Sequence, residues 1–467
     1  MAIRIVNRVV RSLVALAAVV AVVGPAASQP LEPDPEMRKG RLSNGLEYII
    51  IEHANPPERA NMFLHISSGS LNETDRTRGV AHYLEHMVFN GGENIPAGEV
   101  IPYFESLGMS FGQHLNAFTS FDQTTYILSL PDVEAATFEK GFLFFEDVLF
   151  GTLLLPEEIE KERGVIMEEL RTGKGPEQRI RDQIFERLAP GSTFGRRLPI
   201  GTEETIQALE RRDFQGYYGT YYVPSNATLM IAADAAPAKI EKLVEENFDI
   251  GERAAEPEDK PVGIEPYETM RAIVATDDEL TSADVQILNI DEPRPAVTNQ
   301  DRFREQLVEA MAARAVNRRF EEKINDDKVA FTSGGAFVSD LFNAMRYAQV
   351  SASGEPDEWR AILEDLGREL RRARLHGFTA REIENVRKEI ISQAERRAER
   401  ADSLPARVRL QQLNAQIAAG ATPISADRNL ELTRAFAPGI SAEEINDAVR
   451  GLFRDDEVTV VAVLPSS

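Results

Sequence analysis

His82-Tyr83-Leu84-Glu85-His86 sets two imidazoles four residues apart with a carboxylate between them. On a helix, residues i and i+4 stand one above the other, so His82 and His86 can share a single metal ion, and Glu85, three residues after His82, turns to the same side. Two neutral imidazoles suit zinc, and a carboxylate beside such an ion can act as general base toward a water. The H-x-x-E-H order is the reverse of H-E-x-x-H. The plain alternative is a pair of histidines that only packs and caps an ordinary helix. Against it, the chain has only 6 histidines, and two of them fall at this spacing around an acid.

Catalytic zinc takes three protein ligands and keeps one position open. The candidates for the third are His114, His53, His65 and the acid-rich stretch Glu157 to Glu169. If that stretch is helical, Ile159, Glu162, Arg163, Ile166, Glu169 and Leu170 share one face, while Glu158, Lys161 and Glu168 lie on another. Carboxylates among isoleucine and leucine are costly unless paired or metal-bound. That favours Glu162 and Glu169 over Glu168 but does not separate the two. The bland reading is that Glu162 and Arg163 make surface ion pairs and nothing more.

The elements that must hold these residues can be outlined. Gly79 to Phe89 carries Val80, Leu84, Met87 and Val88 as one apolar stripe at helical spacing. Before it, Met62 to Ile66 reads as a short strand, and the same order recurs later, with Asp284 to Ile290 as a strand and Asp301 to Ile324 as a helix. Each half then continues with a strand pair, a long amphipathic helical stretch and a late β-branched strand, Ala227 to Ala232 in the first half and Val458 to Leu464 in the second. Pro156 opens the acidic helix, Gly377 closes the helix that begins near Pro356, and Thr379 with Glu382 makes a capping box for the next. Ala254 to Pro266, rich in proline and acids, reads as an exposed linker. The expectation is therefore an α+β chain of two similar domains, 35–253 and 267–467, each a mainly antiparallel sheet covered by helices on one face.

Composition narrows the setting. Arg4, Arg8 and Arg11, the apolar run Leu13 to Gly24 and the small residues Ala26-Ala27-Ser28 read as a signal peptide over residues 1–28, and hence as export to the periplasm or exterior. Loss of those arginines takes the formal charge from −24 to −27, which argues against nucleic acid and anionic membranes as partners. There is no cysteine, so neither lipid attachment nor disulfides are available. About 440 remaining residues exceed what one core usually serves, again pointing to two domains.

These residues, taken in order, resemble a known family. His82-x-x-Glu85-His86, Leu115-Asn116-Ala117-Phe118-Thr119-Ser120-Phe121-Asp122, Glu162-Arg163-x-x-Ile166-x-x-Glu169, Pro199-Ile200-Gly201-Thr202-Glu203-Glu204 and Tyr222-x-Pro224-x-Asn226-Ala227 are similar to the pitrilysin family of inverzincin metallopeptidases, in its bacterial periplasmic branch. The resemblance implies a pitrilysin or mitochondrial processing peptidase-like fold, one zinc per chain, Glu169 as third ligand and Glu162 as an acid beside the site. It also implies metal-assisted hydrolysis of peptides with Glu85 as base, and an extended substrate added to the edge of the strand carrying Asn116, Ala117 and Phe118. Relatives complete the site with an Arg and a Tyr seven residues apart, from another domain pair or a partner subunit. Here the best-placed arginine is Arg319, yet the seventh residue on is Asp326, and the only histidine of the second half is His376. The chain thus reads as the zinc-bearing half of a clamshell, to be joined by a second domain pair or subunit. Arg319 itself reads as a solvated helix-end cation, and His114 as a loop histidine without a partner.

Overall fold

The computed structural model describes residues 28–467 apart from 174, 252, 259–261, 265–268, 456 and 467, so nearly all of the expected signal peptide lies outside the described residues. No helix among them is long and apolar enough to cross a membrane.

Two sheets organise the chain. The first comprises β1 (Met37–Arg41), β2 (Glu47–Glu52), β3 (Ala60–Ile66), β4 (Leu115–Thr119), β5 (Thr124–Leu130) and β6 (Ala227–Ala233), in the order β1-β2-β6-β3-β5-β4. The second comprises β7 (Arg271–Asp277), β8 (Ala283–Asp291), β9 (Phe331–Leu341), β10 (Met345–Gly354) and β11 (Thr459–Pro465), in the order β7-β11-β8-β10-β9. Only β2–β6 and β7–β11 pair in parallel; every other neighbour is antiparallel. Apart from β1, the sheets match strand for strand, and the helices Val80–Val88 and Gln300–Asn325 follow β3 and β8 at equivalent points. This is the α+β repeat expected from the sequence.

The central strands β3 and β6 are buried at every residue, more than a sheet covered on one side would give. The main core lies between the first sheet and the helices of its own half, including the motif helix Val80–Val88. The opposite face is covered by Ala406–Ala418, a helix lent by the second half, whose Ala406, Leu410 and Leu413 pack on Ile49, Ile51, Phe63, Ile127 and Met230. The loan is returned by Pro176–Leu188, whose Ile180 and Leu188 share a core with Ile273, Ala275, Val461 and Val463 of the second sheet. Each buried leucine of this kind contributes about 1.5–3 kcal/mol. Residues 28–36 reinforce the exchange, with Leu31 buried in the second core and Asp34 bonded to Pro423.

Two local expectations need correction. The expected linker is exposed at Ala255, Glu256 and Glu258, but toward its end Val262 accepts hydrogen bonds from Thr193 and Ile264 is buried, because that end closes the apolar cluster around Phe194. Arg319 is not solvated: it bonds Glu382 at 2.7 Å and the Gly377 carbonyl at 2.6 Å and lies over the Phe378 ring, tying Gln300–Asn325 to the capping box of Ala380–Arg400.

Candidate metal centre

The motif helix begins at a constrained point. Gly79 sits at φ +90°, and a Cβ there would fall 2.9 Å from the Ile200 carbonyl, so glycine alone fits. No side chain at the cap position serves the first turn. Glu73 does so instead: its buried carboxylate accepts from the N–H groups of Gly79 at 2.9 Å and Ala81 at 3.0 Å. Farther along, Val80, Leu84, Met87 and Val88 anchor the helix in the core, and the Tyr83 hydroxyl donates to the Ile159 carbonyl of the second site helix, Pro156–Thr172.

That packing brings three donor groups together. Nε2 of His82 stands 3.7 Å from Oε1 of Glu169, and Nε2 of His86 stands 3.5 Å from Oε2. One ligand atom from each of His82, His86 and Glu169 lies within 4.8 Å of the others. Glu169 is the most exposed of the three. Glu162, the other acid on the same helix face, turns to the far side of His86: its carboxylate accepts from Nδ1 at 2.8 Å and from the Asn90 amide at 2.9 Å. A proton fixed on Nδ1 leaves the Nε2 lone pair of His86 facing Glu169. The separation between Glu162 and Glu169 that helical periodicity left open is thus made by geometry.

The electrostatics favour a neutral ligand at His82, whereas His86 is biased the other way. Burial, then the neighbouring His86, pull the His82 pKa down to about 3, which keeps its imidazole neutral and able to ligate. For His86 burial also acts downward, but the hydrogen bond to Glu162 and the charges of Glu85, Glu162 and Glu169 outweigh it. The Glu162 pKa is held down by the bond to His86. Glu85, only 7% exposed, is pushed up by burial to about 7, against the opposing pull of a 2.7 Å hydrogen bond from the Thr119 hydroxyl. Two imidazoles, His86 giving up its second proton on ligation, and one carboxylate, without sulfur, make a donor set that fits zinc with a coordination position to spare.

Of the residues expected to meet substrate, Ala117 is the best placed. Strand β4 is an edge strand, and its bonds to β5 run through His114, Asn116, Phe118 and Ser120, as Ser129–His114 and Ser120–Gln123 fix at either end. By alternation, the backbone groups of Leu115, Ala117 and Thr119 turn outward. Those of Leu115 are taken by Ser110 and Gly112. The open stretch is therefore Ala117 to Thr119, with the Ala117 N–H resting on Oδ1 of Asn116 at 2.9 Å. Asn116 and Phe118 have their backbone groups committed to β5 and their side chains on the face away from Glu85.

The other histidines take no part. His114 is bonded locally to the N–H and hydroxyl of Ser110, so it does have a partner. His53 bonds the Leu404 carbonyl at 2.6 Å and His65 bonds Asn414 at 3.0 Å, both on the sheet face covered by Ala406–Ala418. Sequence reasoning missed Glu73, Asn90 and Thr119. Asn90 follows His86 by four residues, a spacing that could have flagged it; the other two depend on loop and register.

The chain is similar to known proteins. A model of Insulinase (Peptidase family M16) matches residues 48–196, and one of the Peptidase M16 inactive domain matches residues 208–390. Probable zinc protease PqqL of Escherichia coli (strain K12) is 30% identical over 379 residues, covering 80% of this chain and 40% of that protein. The Haemophilus influenzae protein of the same name is 34% identical over 215 residues, 46% of this chain and 23% of the other. The crystal structure of the first half of the periplasmic protease PqqL from Escherichia coli matches with a TM-score of 0.88 at 24% identity, covering 93% of each chain, a likeness of fold. Against the whole of that protease the match covers 93% of this chain but 48% of the other, so the chain spans about half the length of its relatives or less. With both family models matched in order and the donor set of its first domain assembled, the chain belongs to the pitrilysin, or M16, family of zinc metallopeptidases.

Proposed function

We propose that the chain is a zinc endopeptidase acting on exported peptides or unfolded polypeptides in the periplasm, with 35–253 as the catalytic domain, 254–266 as linker and 267–467 as a supporting domain without a metal site. The observation that carries this reading is the convergence of His82, His86 and Glu169 beside a buried Glu85 whose pKa stands near neutrality. One zinc per chain, when bound, supplies a Lewis acid and lowers the pKa of a water from roughly 15.7 to about 7. Glu85 then takes a proton from the attacking water and returns it to the departing amine, a task suited to a base near the ambient pH. Glu162 and Asn90 orient His86. The open edge at Ala117 and Thr119 holds an extended peptide through its main chain, which makes recognition broad in sequence, with Asn116 and Phe118 beside it.

A partner-dependent version is favoured by one observation: Arg319, the nearest counterpart of the arginine that relatives add from another domain pair, is consumed in holding Glu382 and Gly377. On this version a second domain pair or subunit supplies the Arg and Tyr. Hydrolysis of a quenched-fluorescent peptide library by the zinc-loaded chain, alone and with periplasmic extract, tests both. Activity lost in Glu85→Gln supports the endopeptidase; activity only with extract supports the partner; activity that survives Glu85→Gln removes the mechanism.

A further inference from the structure

We propose that Thr119 is a positioning residue that fixes the reactive orientation of Glu85 and couples it to peptide binding on the edge of β4; this rests on the reading of Glu85 as general base.

The hydroxyl of Thr119 has one proton, and the surroundings direct it. Its Oγ1 lies 2.7 Å from Oε2 of Glu85 and 3.4 Å from Oγ1 of Thr124. Thr124 gives its own proton to the Ser68 carbonyl, 3.0 Å away, so it does not donate to Thr119, and as an acceptor its distant neutral hydroxyl competes poorly with a carboxylate at 2.7 Å. The Thr119 proton therefore goes to Glu85, whose carboxylate has no other side-chain donor among the described residues. That charge-assisted bond restrains one oxygen of the buried carboxylate and limits how the group can turn. Glu85 must present the same group to a water beside His82 and His86, and a small misplacement of a base lowers its rate far more than it lowers binding.

The same residue faces the substrate edge. Alternation along β4 turns the N–H and C=O of Thr119 outward while its side chain points to the motif helix, so one residue offers main-chain bonds to a peptide and a side-chain bond to the base. A peptide seated on Ala117 and Thr119 stiffens the backbone from which the Glu85 contact is made. Binding and orientation of the base thus share a residue, which links where the peptide lies to where its bond is cut.

The test uses Thr119→Val, which keeps shape and β-branching, and Thr119→Ser, which keeps the hydroxyl, in the zinc-loaded chain with its partner half present if hydrolysis needs one. The expected result is a fall in kcat of about tenfold or more for Val, with KM within about twofold, zinc content and Tm at the wild-type value, and recovery of most of kcat in Ser. In a Glu85→Gln background, Thr119→Val should add no further loss, since both changes act through one carboxylate. Wild-type kcat in Val, or equal impairment of Val and Ser, overturns the proposal while leaving the base in place. Hydrolysis that survives Glu85→Gln overturns the general-base reading and this proposal with it.

Discussion

Replacing Glu162 by glutamine should weaken zinc binding without removing any ligand. In the structure its carboxylate receives the Nδ1–H of His86 at 2.8 Å and is only 13% exposed, so solvent screens the bond little. A hydrogen bond to a charged group contributes about 1.5–3 kcal/mol and a neutral one about 0.5–1.5 kcal/mol, so loss of the charge costs roughly 1–1.5 kcal/mol, or about tenfold in the zinc dissociation constant. Glu162→Ala leaves Nδ1–H buried without an acceptor and should cost nearer 100-fold, the upper end for residues that orient a metal-bound histidine. Competition against a chromophoric chelator reads the affinity directly, and thermal unfolding of the apo forms checks that the fold is intact. Wild-type affinity in both variants would refute the view that Glu162 sets the tautomer of His86.

Three further outcomes are expected. Leu413→Ala, in the helix lent to the first sheet, should cost about 2–5 kcal/mol of stability in urea titration, because Leu413 is 1% exposed among Ile49, Phe63 and Met230; a loss below about 1 kcal/mol would contradict the interlocked packing. Gly79→Ala should cost about 1–3 kcal/mol from strain at φ +90° and lower zinc affinity by shifting the first turn of the motif helix, read by circular dichroism and chelator competition. Burial pushes His65 down to about 4; since the folded form then binds fewer protons than an unfolded chain titrating near 6.5, its contribution is complete above about pH 6.5 and is lost as pH falls toward 4. That loss is about 3 kcal/mol, and His65→Gln should flatten the slope of stability against pH over that window; an unchanged slope would exclude His65 as its source.

Much of the site was legible because helical spacing is local. His82, Glu85 and His86 lie within five residues, and periodicity alone put Glu162 and Glu169 together on the apolar face of their helix. Which acid lies beside both histidines depended on the crossing of two helices 76 residues apart, marked by the bond from Tyr83 to Ile159, and periodicity carries no such information. The two-sheet repeat was visible for the same local reason, since β3 with Val80–Val88 and β8 with Gln300–Asn325 each place a strand before a helix. The exchange of Ala406–Ala418 for Pro176–Leu188 was not, because a helix's apolar stripe says that it is covered but not by which half. The outward turn of Ala117 and Thr119 follows from pairing register with β5, which one-residue alternation permits in either phase. The contact of the Thr119 hydroxyl with Glu85 shares that cause, and the cap by Glu73 depends on a loop whose course the residues alone do not set.

Zinc stoichiometry tests the central claim most directly. Metal analysis after extensive dialysis, on the wild type and on His82→Ala, His86→Ala, Glu169→Ala and Glu85→Gln, should give one zinc per chain for the wild type and for Glu85→Gln, and little or none for the three ligand variants. Zinc retained at full occupancy in Glu169→Ala or either histidine variant, or a wild type that binds none, would contradict the assignment of these three side chains as the metal site.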